Sequence, residues 1–329
     1  MKQALKLSIR GNLMLWLLLF MVLLLPLSGE LYYVKLVTRM LIFAIAALSL
    51  DLLVGYMGQV SFGHAAFMAV GAYCAGMLAA EGWTSVWMVW PLAMLSGAVF
   101  ALIVGAVSLR CSGLYFIFIT LAFSQMLFYG AQSLRSYGGD DGFAMDAHNR
   151  LGGGLDMGDP IVLFYTVLAL LLACLYLGRR LIRSPFGQIA VASRDNEMRL
   201  ASVGIKSYPY KLLMFVISGA MCALSGALLA NLTSFIAPGY VAWLVSGELL
   251  IMVILGSVGT LVGPVLGAAV FIGFEHILAD WTEHWMLVFG PLIVIRVLFL
   301  REGLYGLLRR RKSEVAPVRP TEVPAEGGA

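Results

Sequence analysis

The chain has 329 residues, of which 61% are hydrophobic and 12% charged, and it carries a net charge of +4. A soluble domain holds about 25% charged and 45–50% apolar residues, so a water-soluble globular enzyme or a nucleic-acid-binding domain is excluded. The apolar excess falls in runs too long for soluble helices. A hydrocarbon core about 30 Å thick needs about 20 helical residues per crossing. The fold class that follows is all-α, a polytopic integral membrane protein with about 8–10 transmembrane helices.

Lys2, Lys6 and Arg10 precede an apolar run at 13–27. The order resembles a signal peptide, but Pro26-Leu27-Ser28-Gly29 lacks a small-x-small cleavage site, so an uncleaved first span is expected. Further runs lie at about 37–55, 60–80, 86–109, 111–132, 160–178, 211–232, 246–262, 265–281 and 285–300. Those near 55–64 and 256–265 are Gly-rich and predict hairpins or broken helices. Cys74, Cys111, Cys174 and Cys222 lie in apolar runs without CxxC spacing. They behave as small hydrophobes, and neither metal nor cofactor is expected.

The segment LDLLVGYMGQVSFGHAAFMAVGAY, residues 50–73, joins two of these runs through Gly55, Gly58, Gln59, Ser61, Gly63 and His64. Backbone groups at membrane depth have to be paired, or face protein or water. Glycines there permit a broken helix, and Gln59, Ser61 and His64 supply hydrogen-bonding groups. Two readings stand: the wall of a substrate pathway, or packing glycines with buried, satisfied polar side chains.

With the N-terminus in the cytoplasm and alternate crossings, the outer segments hold only Lys35, Arg39, Arg135 and Arg150, and Arg296 lies within the last span. Every other Lys and Arg falls inside, as the positive-inside rule requires. The segment 179–211 and the C-terminus are then cytoplasmic, and 133–159 is extracytoplasmic. That outer loop is acidic and Gly-rich. Asp140, Asp141 and Asp146 do not fit a twelve-residue calcium loop, which needs a terminal Glu. A solvated, partly mobile loop that meets an outside partner is expected.

The inner segment, RRLIRSPFGQIAVASRDNEMRLASVGIKSYPYK, has a turn at Pro185 and Gly187 and then good helix formers from Gln188 to Val203. Gly204 stands where a helix C′ glycine belongs. One or two short amphipathic helices at the cytoplasmic surface are expected. Residues 1–312 form the membrane domain, and 313–329, rich in Pro, Glu, Ala and Gly, has almost nothing to bury and reads as a disordered tail.

Ionisable groups inside a bilayer are expensive. Asp51, Glu248, Glu275 and Arg296 are the ones so placed. Arg296 is within snorkelling reach of the inner surface, and Glu248 is near the outer interface. Asp51 and Glu275 are each expected either to bond across a helix interface, to Gln59, His64 or a broken-helix amide, or to line the pathway.

Three long blocks now carry a resemblance. Residues 50–73, the block SRDNEMRLASVGIKSYPYKLLMFVISGAMCALSGALLA, and GELLIMVILGSVGTLVGPVLGAAVF resemble, in order, the permease subunits of branched-chain amino acid ABC importers. The outer GGDDG is similar too. The resemblance spans roughly residues 40–300, and urea and amide permeases share it. It implies half of a translocation pore, paired with a second, homologous permease subunit in the membrane lipid of the bacterial inner membrane. It also implies two ATP-binding subunits on the cytoplasmic face, a periplasmic binding protein that delivers substrate, and no nucleic acid. Within 179–211 it implies a coupling helix with an Glu-Ala-Ala pattern ending in Gly. Glu197, Ala201 and Gly204 stand nearest that pattern, flanked by Arg194, Asp195 and Ile205, while Met198, Arg199 and Leu200 depart from it. The expected pathway residues are Asp51, Gln59, Ser61, Gly63, His64, Thr120 and Glu248. An ion-coupled secondary transporter is the competing reading, but it has no need of the 179–211 segment. No HExxH or GxSxG motif supports an intramembrane enzyme.

Overall fold

The computed structural model describes residues 23–145, 147–152 and 155–279, with Trp281, Leu287, Gly290 and Pro291 beyond them. Most of the expected first span, the last run with Arg296, Asp146 and the C-terminal tail lie outside the described residues.

The helices are α1, Leu31–Asp51, prolonged by a π-helical turn at Leu52–Met57; α2, His64–Ala80; α3, Val86–Ser108; α4, Leu114–Gln132; α5, Pro160–Arg183; α6, Pro185–Asp195; α7, Glu197–Ser202; α8, Tyr208–Thr233; α9, Trp243–Gly256; and α10, Gly263–Ala279. Five are long and apolar enough to cross a membrane: Leu31–Met57, Val86–Ser108, Leu114–Gln132, Pro160–Arg183 and Tyr208–Thr233. The shorter apolar helices α2, α9 and α10 adjoin the two Gly-rich runs. The chain is thus an all-α polytopic membrane protein, and both Gly-rich runs are helix breaks.

Local chemistry sets several ends. Asp159 caps α5 by accepting the Ile161 N–H at 2.9 Å, with Pro160 at the first helical position. Ser184 caps α6 in the same way through the Gly187 N–H at 3.2 Å, ahead of Pro185.

α1 and α8 form the centre. Of their most apolar windows 83% and 72% is buried, against 22% for α4, although all three are apolar. Close approach is achieved by small residues rather than by interlocking large ones. A methyl group on Gly71 of α2 would overlap the Ala223 carbonyl of α8, and one on Gly226 would overlap the Met68 carbonyl of α2. Gly97 of α3 meets the Ala223 side chain, and Gly219 meets Ala101. Gly219, Ala223 and Gly226 therefore seat two neighbouring helices against one stretch of α8.

One end of the bundle gathers the loops around residues 81–85, 133–159 and 234–242. There β1, Phe143–Ala144, pairs antiparallel with β4, Phe235–Ile236, and β2, Arg150–Gly152, pairs with β3, Leu155–Asp156. Asn149 and Asn231 exchange amide bonds: the Asn231 side chain donates to Asn149 Oδ1 at 2.7 Å, and the Asn149 backbone N–H donates to Asn231 Oδ1 at 3.0 Å. The Arg150 N–H donates to the Thr84 carbonyl at 2.6 Å. Met145, Asn149 and Met157 are buried. Most of the other described residues of this loop are exposed or half-buried, as the solvated loop expected there requires. Short strands and a buried amide pair pin this segment onto the end of α8, which its Gly- and Asp-rich composition does not reveal.

Candidate functional site

At the foot of α1 the helix widens into the π-turn and stops at Gly58, whose φ of +70° is left-handed. The Gln59 N–H closes the end on the Leu53 carbonyl at 3.0 Å. The chain then runs without regular structure to Gly63 before α2 starts. The N–H groups of Val60, Ser61 and Phe62 have no protein partner among the described residues. Unpaired backbone inside a membrane protein is tolerated where it lines a cavity or meets protein.

The second break, between α9 and α10, packs against the first. Ser257 and Gly259 have φ of 130° and 75°. The Gly259 N–H donates to Asp51 Oδ1 at 2.7 Å. A methyl on Gly55 would overlap both the Gly259 backbone and the Asp51 carboxylate. Asp51 is thus one of the bonded cases expected of it: its partner is a broken-helix amide, and not Gln59 or His64. Two helix breaks about 200 residues apart in sequence meet at a single buried carboxylate.

Above this junction lies a second polar cluster. His64, at the first turn of α2, is fully buried, with Nε2 2.8 Å from Ser49 Oγ. The Ser49 hydroxyl gives its one proton to the Ala46 carbonyl at 2.7 Å, so the imidazole is assigned its proton on Nε2. Ser218 of α8 donates to the Ser49 carbonyl at 2.5 Å, and Ser246 of α9 accepts the Ala65 N–H at 2.9 Å. A methyl on Gly63 would overlap the Thr120 carbonyl, while the Thr120 hydroxyl is satisfied by Ile117 at 2.9 Å.

Of the expected pathway residues, the structure brings Ser61, Gly63, His64 and Thr120 together, and all four are buried among protein groups. They fix where α2 begins. Gln59 is half-buried beside the break. Asp51 sits at the junction below. Glu248 stands apart on α9, in the electrostatic field of Arg39 and Glu275. Glu275 itself is bonded to Arg39 at 3.1 Å across the α1–α10 interface.

The 179–211 segment forms, beyond the end of α5, two helices rather than one. Asn196 leaves the helical region at φ −163°, ψ 102°, and its side chain caps α7 through the Arg199 N–H at 2.9 Å. An Asn inside a helix-forming run thereby acts as a break and a cap. Gly204 has φ +83° and ends α7, with the Ile205 N–H reaching back to the Leu200 carbonyl at 3.1 Å. Glu197 anchors α7 to α8: Lys211 Nζ lies 2.8 Å from Glu197 Oε2, and Ser207 donates to Oε1. The Lys211 hydrogen bond first, and the Ser207 bond second, hold the Glu197 carboxyl below the usual range. Arg194, at the end of α6, donates to the Gly55 carbonyl in the π-turn, and its aliphatic stem packs on Gly58. Asp195, Ala201 and Gly204 are exposed and Ile205 half-buried, and apolar Met198 and Val203 stand in solvent beside them.

Several contributing residues escaped the sequence reading. Ser49, Ser218 and Ser246 look like spacers in apolar runs, and Lys211 looks like one more topological cation. Gly259 carried a signal, the Gly-rich resemblance between the two breaks, but nothing in the chain says that the two touch.

A family model described as branched-chain amino acid transport system, permease component, matches residues 32–297. The high-affinity branched-chain amino acid transport system permease protein LivM of Salmonella typhimurium is 28% identical over 303 residues, covering 84% of this chain and 70% of that protein. LivM of Escherichia coli is 27% identical over the same length and coverage. The autoinducer 2 import system permease protein LsrC of Salmonella paratyphi B is 28% identical over 175 residues, 50% of this chain and 49% of that protein. No solved structure matches at a significant level.

Proposed function

The chain belongs to the permease components of branched-chain amino acid transport systems, and from that premise we propose that it forms half of the path of an ATP-driven importer for leucine, isoleucine and valine. A second, homologous permease supplies the other half. A periplasmic binding protein delivers substrate to the end capped by residues 133–159, and two ATP-binding subunits dock on α6 and α7. No GxxxxGK[ST] motif occurs in the sequence, so ATP is hydrolysed on those partner chains. The chain resides in the bacterial inner membrane with both termini in the cytoplasm, as its Lys and Arg placement favours.

One observation carries this reading: the Arg194 bond to Gly55. It joins a surface helix, which a passive channel or an ion-driven carrier has no need of, to the place where both broken helices meet. When the ATP-binding subunits close, α6 and α7 move as short rigid levers and pull on that junction. Gln59 and the amides at 60–62, which have no protein partner among the described residues, then offer weakly polar contacts to a zwitterionic amino acid, without a deep charged trap. Asp51, Ser61, Gly63, His64 and Thr120 act behind them by setting where α2 begins. Glu248 lies nearer the outer mouth.

Uptake of labelled leucine, isoleucine, valine and urea in cells lacking only this chain tests the proposal. Loss of the three amino acids with urea unaffected supports it. Loss of urea uptake alone keeps the ATP-driven architecture and moves the substrate to amides. Unchanged uptake of all four overturns it.

A further inference from the structure

The cytoplasmic end of α5 carries a cluster that the transport reading does not use. The apolar part of α5, residues 160–178, extends about 28 Å at 1.5 Å per residue, close to the thickness of a hydrocarbon core. Directly after it come Arg179, Arg180 and Arg183. With Tyr176 and Ser184 they line an open cavity of about 470 Å³. None of the three guanidinium groups has a carboxylate partner among the described residues, whereas Arg39, Arg150 and Lys211 each have one. Three cations within two helical turns repel one another unless an anion lies between them.

The surroundings add to this field. Ser184 is the cap of α6, an 11-residue helix, so the positive end of that helix points at the cavity. The end of α5 turns straight into this cap, with the Arg180 and Leu181 carbonyls accepting the Ser184 N–H, each at 3.1 Å. Tyr176 sits at the depth where aromatic rings mark the membrane–water boundary. One helical stripe above it, Leu172 faces outward, 43% exposed. A soluble anion has no use for that apolar stripe, but a lipid has use for both parts. The volume is that of roughly fifteen waters, more than a bare phosphate fills.

We propose that Arg179, Arg180 and Arg183, with Tyr176 and Ser184, bind the phosphodiester headgroup of an anionic glycerophospholipid of the cytoplasmic leaflet, with its acyl chains lying along Leu172. Because the site adjoins the start of α6, the bound lipid also braces the corner between α5 and the surface helices.

The test is retention of phosphatidylglycerol against phosphatidylcholine by the assembled transporter, purified from mixed-lipid nanodiscs and read by mass spectrometry. Wild type is expected to enrich phosphatidylglycerol about tenfold or more over the bulk ratio, since each basic side chain near an anionic surface contributes roughly fivefold. The triple variant Arg179→Gln, Arg180→Gln, Arg183→Gln is expected to fall to the bulk ratio. The triple Lys variant keeps the charge that sets topology but loses the planar fork, and is expected to retain part of the enrichment. It serves as the folded reference if the Gln variant inserts poorly. Equal phosphatidylglycerol in wild type and the Lys variant, with no enrichment in either, overturns the proposal. Release of the lipid by excess inorganic phosphate also overturns it, by moving the site to a soluble anion.

Discussion

The guanidinium of Arg194 donates to the Gly55 carbonyl oxygen, and Gly55 in turn packs on Gly259. A residue at the end of the exposed helix α6 is therefore one contact from both helix breaks. Asp51 completes the junction from the other side through the Gly259 N–H. If α6 moves, neither break can stay in place unless this bond opens.

Replacing Arg194 with Gln should separate ATP hydrolysis from uptake. A hydrogen bond to a charged group contributes about 1.5–3 kcal/mol, so uptake is expected to fall by about ten- to a hundredfold while membrane insertion and basal ATP hydrolysis of the complex persist. Arg194→Lys keeps the charge without the fork and should lie between. Uptake and ATP hydrolysis measured together in proteoliposomes decide it, and full uptake by the Gln variant removes the lever.

The all-α, membrane-spanning character was legible because run length and composition are local properties. Burial was not: α1 and α4 are both apolar, yet one is enclosed and the other exposes Leu114, Tyr115, Phe118, Met126 and Tyr129. Hydropathy cannot tell lipid from protein as a neighbour. The breaks at Gly58 and Gly259 were visible through their glycines, but the partner of Asp51 was not, since sequence spacing does not report contacts between distant segments. The anchor of the 133–159 loop was hidden for the same reason, its partner Asn231 standing alone in an apolar helix. Glu275 also bonds across a helix interface, but to Arg39, which is none of the partners expected for it.

Gly226 and Gly130 should respond in opposite ways to the same substitution. A methyl at Gly226 meets the Met68 carbonyl, which is backbone and cannot yield, whereas nothing lies within 4 Å of one at Gly130. Gly226→Ala is expected to destabilise by about 1–3 kcal/mol through overpacking. Gly130→Ala, in a helix, should be neutral or stabilise by up to about 1 kcal/mol. Thermal midpoints of the detergent-solubilised protein check this. A Gly226→Ala protein as stable as wild type would show that α2 and α8 are not in backbone contact.

Glu197 sets a pH window for the surface helices. Its carboxyl is held below the ordinary range by Lys211 and then by Ser207. A depressed carboxylate contributes stability above its unfolded value and loses it as pH falls through the folded one. Proteolysis of residues 196–206 should therefore stay flat from about pH 8 to about pH 5 and accelerate only below about pH 4. Glu197→Gln should raise cleavage above about pH 5 to the acid level and abolish the acid step. Acceleration between about pH 7 and about pH 5.5 would assign the anchor to another group.

Gly204 separates backbone conformation from surface contact. It is exposed, with φ +83° and nothing within 4 Å of a Cβ, so a side chain there meets no steric obstacle but does meet a left-handed backbone. Val, being β-branched, resists that conformation by about 1–2 kcal/mol, whereas Asn adopts it readily. Gly204→Val should open the turn that ends α7 and uncouple ATP hydrolysis from uptake with insertion intact, and Gly204→Asn should keep most of the uptake. If both variants fail equally, the bare surface at this position, rather than its turn, is what the ATP-binding subunit meets. If both transport normally, the end of α7 plays no part in transmission.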